Sequence, residues 1–114
     1  MPGTIRRSTE QEPYLHPAHD RFLLRDLVTA ELHPELSVHR GQIAPGGEIR
    51  PHCHDRQSET FYILSGEATC RMNGQETLLR AGDCVIAPAG IAHGLKNDGP
   101  EPVELLALFT PPLK

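Results

Sequence analysis

Short runs of alternating or densely apolar residues recur along the chain, with turn-forming residues between them. Residues 37–44 alternate between polar and apolar positions, and residues 60–64 are rich in β-branched and aromatic side chains. Both patterns are typical of strands. Residues 68–72 and 76–79 flank Asn73-Gly74, the dipeptide that most strongly favours a two-residue hairpin turn. Further short apolar runs lie at 84–87, 92–96 and 103–109. About eight or nine short strands separated by frequent turns predict an all-β sandwich or barrel.

Three segments are less regular. Residues 22–32 are rich in apolar side chains whose spacing suits a strand or one face of a helix, and we favour the strand. Pro45-Gly46-Gly47 predicts a break after the strand at 37–44. Residues 1–18 are polar, interrupted by proline and without periodicity, so they are expected to form an N-terminal arm. The division is therefore an arm at 1–18 and one all-β domain, a sandwich or barrel, at 19–114.

Composition supports a single small globular domain. The chain has 114 residues, of which 38% are hydrophobic, and it contains 11 prolines and 10 glycines. This length is enough for one core, and so many turn formers favour short strands over long helices. The formal net charge is −4, without a basic cluster beyond Arg6-Arg7. A surface that binds nucleic acid needs a basic patch, so a nucleic-acid partner is not expected.

No apolar run approaches the ~20 residues that cross a bilayer, and residues 1–17 lack the apolar core of a signal peptide. The chain is therefore expected to have no membrane partner. The three cysteines, Cys53, Cys70 and Cys84, are an odd number. An odd number argues against a disulfide framework and fits a reducing compartment, so a cytoplasmic location is expected. These cysteines are either redox thiols or, as we expect, small buried hydrophobes.

The candidate chemistry begins with a cluster of metal-binding residue types at 52–59. Side chains on a strand repeat every two residues, so His52 and His54 face one way and Cys53 faces the other. Two imidazoles on one face can chelate one ion, and Glu59 follows a short polar loop that lets the chain fold back toward it. Histidines alone suit zinc or copper, whereas an added carboxylate widens the choice to iron, manganese, nickel or cobalt.

Two stretches resemble the two sequence motifs of the cupin superfamily. The first motif is a glycine, five residues, His-x-His, four residues, Glu, six residues and Gly, and it is filled by Gly46, His52, His54, Glu59 and Gly66. The second is a glycine, five residues, Pro-x-Gly, two residues, His, three residues and Asn, and it is filled by Gly82, Pro88, Gly90, His93 and Asn97. The segment between the motifs is short, as in small microbial cupins. No motif position departs from the pattern.

The resemblance implies a double-stranded β-helix, or jelly-roll barrel, with one divalent transition metal per chain. The implied ligands are His52, His54, Glu59 and His93, and the implied metal is Fe, Mn, Ni, Co or Zn. It also implies a homodimer paired through sheet edges, for which the arm and the strand at 103–109 offer surface. The histidines outside the motifs are expected at the surface or in loops, namely His16, His19, His33 and His39.

Two residues are candidates for roles beyond metal binding. Arg50 precedes His52 by two positions and is a candidate clamp for a substrate carboxylate, the alternative being a solvated arginine at the barrel rim. Glu59 is a candidate base if it leaves the metal. Small cupins include several reaction types, and we expect a dioxygenase-type metalloenzyme acting on a small oxygenated or carboxylate-bearing molecule. The alternatives are a non-oxidative isomerase, decarboxylase or lyase, and a non-catalytic metal-dependent binding protein.

Overall fold

In the computed structural model, which describes residues 3–114, one turn of 3-10 helix at Ser8–Glu10 precedes nine strands. The strands are β1 Tyr14–Leu15, β2 Asp20–Val28, β3 Ser37–His52, β4 Ser58–Ser65, β5 Glu67–Met72, β6 Gln75–Arg80, β7 Cys84–Ala87, β8 His93–Lys96 and β9 Val103–Thr110. The segment that suited a strand or a helix is a strand, β2. No helix within residues 3–114 has the length and apolar character needed to span a membrane.

The strands form one antiparallel sheet that curls into a jelly-roll barrel, as predicted. The order along the sheet is β6-β5-β8-β3-β9-β4-β7, and β2 pairs with both β1 and β3. β9 lies between β3 and β4, so the prediction that residues 103–109 offer a sheet edge for dimer pairing is wrong. Both backbone edges of β9 are therefore hydrogen-bonded to neighbouring strands and are not available to a second chain.

β3 holds the two halves of the barrel together. Its first part pairs with β2 and β9, and its last part pairs with β8. The predicted break at 45–47 is wrong, because the strand bends there without ending. Gly46 has φ +80, a conformation that glycine adopts without strain. A Cβ on Gly47 would lie 2.8 Å from the carbonyl oxygen of Asp20, so the backbones approach closely at this bend.

The core follows the alternation seen in the sequence. Every second residue of β9 is buried, namely Val103, Leu105, Ala107 and Phe109, and the alternate positions are more exposed. Phe61 and Ile63 of β4 face them from the neighbouring strand. The Asn73-Gly74 hairpin is confirmed, with β5 pairing to β6 and φ of 54 and 74 at the two turn residues. Positive φ at both positions is the requirement of a type I′ turn.

Asn97, the last residue of the second motif, is completely buried between loops. Its Nδ2 donates hydrogen bonds to the carbonyl oxygens of Ile43 at 3.0 Å and Glu101 at 2.8 Å. Its Oδ1 accepts a hydrogen bond from the Gly99 amide at 3.0 Å. The side chain therefore ties the end of β8 to β3 and to the loop before β9, and it contacts none of the expected metal ligands through these bonds.

The N-terminal segment is tied to the barrel. Within the expected arm, Tyr14 pairs with Leu24 and Leu15 with Leu23, and Tyr14 packs on the core. A short strand of two residues has no detectable periodicity, which is why the sequence pattern did not indicate it. This pairing places the histidines that follow β1 over one end of the barrel.

Candidate metal centre

The structure brings His52, His54, Glu59 and His93 together at one end of the barrel. His52 is the last residue of β3, His54 lies in the loop that follows, Glu59 lies on β4 and His93 begins β8. One ligand atom from each side chain lies within 4.8 Å of all the others. A single ion bound at about 2.1 Å from each ligand requires ligand atoms on this scale of separation. The two motifs therefore converge as their spacing predicts.

Backbone carbonyls orient two of the imidazoles. Nδ1 of His52 lies 2.7 Å from the carbonyl oxygen of Arg50, and Nδ1 of His93 lies 2.9 Å from that of Ile91. A carbonyl only accepts, so each Nδ1 carries a proton and, in the neutral ring, Nε2 carries the lone pair. Hydrogen bonding at the other ring nitrogen is the usual way in which a protein orients a metal-binding histidine.

The three Nε2 atoms point at the same carboxylate oxygen. Oε1 of Glu59 lies 2.7 Å from Nε2 of His93, 3.1 Å from that of His54 and 3.9 Å from that of His52. The Nε2 atoms of His52 and His54 are 3.1 Å apart. In their neutral forms the rings of His52 and His93 direct Nε2 lone pairs toward this carboxylate oxygen, an arrangement that a cation among them would stabilise. The side chains present thus fit one divalent transition metal.

Burial and hydrogen bonding have opposite effects on the pKa values of Glu59 and His93. Burial acts to raise the pKa of Glu59, but its contacts with His54 and His93 outweigh this and the pKa is lowered. Burial acts to lower the pKa of His93, but the contact with Glu59 outweighs this and the pKa is raised. Burial lowers the pKa of His52. Glu59 is only 4% exposed and remains charged, so the centre holds one negative charge for a cation.

A cavity of about 60 Å³ opens beside the centre. Its wall is mostly apolar, with contributions from Phe22, Leu24, Ile49, Ala107, Phe109 and Leu113. His52, His54 and Glu59 form one polar part of the lining, and His16 and His19 border the cavity from the N-terminal segment. An apolar cavity with a few polar groups converging on it is typical of a site for a small molecule.

Tyr14, His39 and Lys114 also line this cavity and belong to a second polar group. Nδ1 of His39 and the hydroxyl of Tyr14 each lie 2.7 Å from Oδ1 of Asp26. Nε2 of His39 lies 3.0 Å from the Ser37 hydroxyl, and Lys114 donates to the Tyr14 hydroxyl at 2.9 Å. Burial acts to raise the pKa of Asp26, but the bonds from Tyr14 and His39 outweigh it and the pKa is lowered.

Of the four remaining histidines, only His39 is not at the surface or in a loop, as all four were expected to be. His39 is only 3% exposed, because it shares the inward face of β3 with Ser37 and Ile43. The alternation of residues 37–44 in the sequence already places His39 on the same face as Ile43. His16 and His19 border the cavity, and burial is the main reason that the pKa of His19 is lowered to about 4. His16, His19 and His33 lie in loops as expected, and His33 is exposed.

Arg50 does not join the cavity lining. Its guanidinium forms two bonds to the carboxylate of Asp20, at 2.7 Å and 3.1 Å, on the exposed surface. The register between β3 and β8 shifts between Ile49 and His52, so the expected two-residue repeat is interrupted. The structure therefore agrees with the alternative of a rim arginine and gives the substrate clamp no support.

The cysteines divide by exposure. Cys70 is buried, as expected of a small hydrophobe, whereas Cys53 and Cys84 are exposed. The expectation of burial is wrong for these two. Cys84 lies on the outward face of β7, where Val85 and Ala87 point inward. Cys53 lies in the loop after β3, so the strand parity used to orient its side chain does not apply.

Comparison with known proteins places the chain in a family. The sequence profile of the cupin domain matches residues 39–109. The oxalate-binding protein of Thermotoga maritima is 33% identical over 70 residues, which cover 61% of this chain and 58% of that protein. Germin-like protein 5-1 of Oryza sativa is 38% identical over 78 residues, which cover 62% of this chain and 34% of that protein. The chain therefore spans little more than half the length of the oxalate-binding protein and about a third of the length of the germin-like protein.

A solved structure extends the comparison to nearly the whole chain. The crystal structure of a predicted oxalate decarboxylase from Thermotoga maritima superposes with a TM-score of 0.83 and 25% identity. The superposition covers 94% of this chain and 98% of that one. The family profile spans both motifs and most of the barrel, and the neighbouring fold agrees with it. The chain therefore belongs to the cupin family.

Proposed function

We propose that this chain holds one divalent transition metal, Fe, Mn, Ni, Co or Zn, through His52, His54, Glu59 and His93. We further propose that it acts on a small oxygenated or carboxylate-bearing molecule in the adjoining cavity. The observation that carries the proposal is the convergence of three imidazole nitrogens and one buried carboxylate oxygen beside an apolar cavity. A set of three nitrogens and one oxygen suits these metals better than Ca²⁺ or Mg²⁺, which prefer oxygen ligands.

The side chains around the centre have separable tasks. Glu59 supplies the negative charge, and the carbonyls of Arg50 and Ile91 hold two rings in the ligating orientation. The ring of Phe109 packs edge-on against His54, with centroids 5.2 Å apart, and helps to exclude water from that side. A divalent ion bound here supplies Lewis-acid chemistry, which polarises a carboxylate or carbonyl oxygen. Glu59 is also a candidate base, although a lowered pKa favours its role as a permanent anion.

The reaction that we propose first is that of a dioxygenase. Four protein ligands would leave room on a transition metal for a substrate and a co-substrate. The second candidate is metal-dependent binding or non-oxidative conversion of a small dicarboxylate. The observation in its favour is the similarity to a protein named for binding oxalate and to a predicted oxalate decarboxylase.

One experiment separates these reactions. The purified protein is stripped with a chelator, reloaded singly with each of the five metals and analysed for metal content. Each form is then given oxalate, other small carboxylates and catechols while O₂ uptake, CO₂ release and binding heat are measured. O₂ uptake that depends on substrate supports a dioxygenase, CO₂ release without O₂ uptake a decarboxylase, and heat without turnover a binding protein. Failure to take up any metal overturns the proposal.

We also propose that the protein is a cytoplasmic homodimer. The strands at the two ends of the sheet path, β6 and β7, carry the exposed apolar side chains Leu78 and Ile86. Exposed apolar edge strands favour pairing with another chain. Sedimentation that gives a dimer at micromolar concentration supports the proposal, and a monomer at that concentration contradicts it.

A further inference from the structure

His16 and His19 belong to neither motif, yet their rings continue the row of imidazoles away from the metal centre. The ring centroids of His19 and His52 are 4.9 Å apart, and those of His16 and His19 are 4.4 Å apart. Both residues border the cavity beside the ligands. The ring of His19 also meets that of Phe22 edge-on, with centroids 6.0 Å apart, so it is held in place by packing.

Backbone amides fix the tautomer of both rings. The amide of Arg50 donates to Nδ1 of His19 at 3.0 Å, and the amide of Ala18 donates to Nδ1 of His16 at 3.1 Å. An amide N–H only donates, so each Nδ1 carries the lone pair. In the neutral ring the proton must then be on Nε2. These two side chains therefore offer N–H donors and no Nε2 lone pair to a metal.

Arg50 thereby assigns opposite roles to two neighbouring histidines. Its carbonyl oxygen accepts from Nδ1 of His52 and leaves that ring a ligating Nε2. Its amide donates to Nδ1 of His19 and leaves that ring an Nε2–H. One residue of β3 thus makes His52 a metal ligand and makes His19, whose ring centroid is 4.9 Å away, a hydrogen-bond donor. The side chain of Arg50, which binds Asp20, takes no part in this.

We propose that His19 is a ligand-binding residue whose Nε2–H donates a hydrogen bond to an oxygen of the molecule held beside the metal centre. The inference rests on the proposed function and identifies the ligand class further, as a molecule with an anionic carboxylate or enolate oxygen. Among residues 3–114, Nε2 of His19 has no hydrogen-bond partner in the protein, so the donor is available to a ligand. A hydrogen bond to an anionic oxygen in an apolar cavity is stronger than one between neutral groups.

Two substitutions separate the nitrogens of His19. Asn places its amide group close to Nδ1 and accepts from the Arg50 amide, but it provides no donor at the Nε2 position. Gln extends its amide N–H to the Nε2 position but loses the acceptor at Nδ1. His33→Asn is the matched control, because Nδ1 of His33 also accepts from a backbone amide, that of Glu35, and His33 lies outside the cavity lining.

The first measurement uses the apo protein. Long-range ¹H–¹⁵N NMR spectra distinguish the two neutral tautomers of each histidine. We expect the Nε2–H tautomer for His19 and the Nδ1–H tautomer for His52. An Nδ1–H tautomer at His19 would overturn the inference without bearing on the metal centre.

The second measurement compares Zn²⁺ affinity with the affinity of the zinc-loaded protein for oxalate, used as the probe. We expect zinc affinity within about threefold of wild type for both His19 variants. Oxalate affinity should fall about tenfold or more in His19→Asn, which corresponds to the loss of one charge-assisted hydrogen bond. His19→Gln should retain more affinity than His19→Asn, and His33→Asn should match wild type.

The outcomes distinguish a failure of the proposed ligand class from a failure of the role of His19. Wild-type zinc protein that takes up metal but binds no oxalate contradicts the proposed ligand class itself. Wild type that binds oxalate while His19→Asn binds it equally well overturns only the role of His19. A zinc affinity that falls more than tenfold in His19→Asn, in protein with an unchanged circular-dichroism spectrum, means that His19 serves the metal and also overturns the inference.

Discussion

Replacement of Asn97 by Ala tests whether the last motif residue is structural. The change removes two donors and one acceptor from a completely buried side chain and leaves the carbonyls of Ile43 and Glu101 and the amide of Gly99 without these partners. Each hydrogen bond contributes about 1 kcal/mol net, and each buried group left unpaired costs about 1–3 kcal/mol. Since water entering the space re-pairs some of these groups, we expect the free energy of unfolding to fall by about 3–5 kcal/mol.

That loss is large against the ~5–15 kcal/mol typical of a domain. For a domain of this size, 1 kcal/mol corresponds to a melting-temperature shift of roughly 4 °C, so the shift should be roughly 12–20 °C. Urea and thermal unfolding of the chelated protein measure it. Asp98→Ala is the control next in sequence, because Asp98 makes only an exposed contact with Lys96 at 3.6 Å, and it should cost less than about 0.5 kcal/mol. A loss of less than 1 kcal/mol in Asn97→Ala would refute the structural role.

Three further predictions concern the site and its surroundings. The double variant His52→Ala/His54→Ala should take up no metal and keep its β-sheet circular-dichroism spectrum, because the strands are paired independently of the ion; chelation of wild type should lower the free energy of unfolding by about 2.7 kcal/mol if metal was present at 100 times its Kd. Gly41→Ala should cost about 1–3 kcal/mol in urea unfolding, because its Cβ would lie 2.6 Å from Cε1 of Phe22. The lowered pKa of His19, about 4 against 6.5 when unfolded, contributes stability that is complete above pH 6.5 and lost as the pH falls toward 4. Solvent screening of the partly exposed ring reduces this effect. Between pH 7 and pH 5, the free energy of unfolding of chelated His19→Asn, measured by urea unfolding, should therefore fall by about 1 kcal/mol less than that of chelated wild type.

The sequence indicated most strands and all four members of the metal group because both depend on local spacing. Alternation marks a half-buried strand wherever the chain runs, and the fixed separations of His52, His54, Glu59 and His93 match the family motifs. The curvature at Gly46 was not predictable in the same way. Pro and Gly signal a change of direction, and only pairing with β8 shows that the strand continues beyond it.

The positions of His39 and His19 in the cavity lining were not predicted from the sequence, for two different reasons. His39 could have been identified, since it shares its parity with inward residues of a strand that had been recognised. His19 could not, because its role depends on a hydrogen bond to Arg50, 31 positions away, and on a two-residue strand that folds the N-terminal segment over the barrel. Spacing within a motif carries no information on such a contact. Residues outside the motifs that line the cavity can therefore be identified only from the three-dimensional structure.

The central position of β9 has a consequence for how the protein is made. β3 and β4 are not hydrogen-bonded to each other, and each pairs instead with β9. During synthesis both strands emerge well before residues 103–110, so each presents an unsatisfied edge until those residues arrive. Pairing across such sequence distances is slow, typically milliseconds to seconds in all-β domains. A nascent chain that pauses before residue 103 exposes two unpaired strand edges, and this is the interval in which we expect it to be most prone to aggregation.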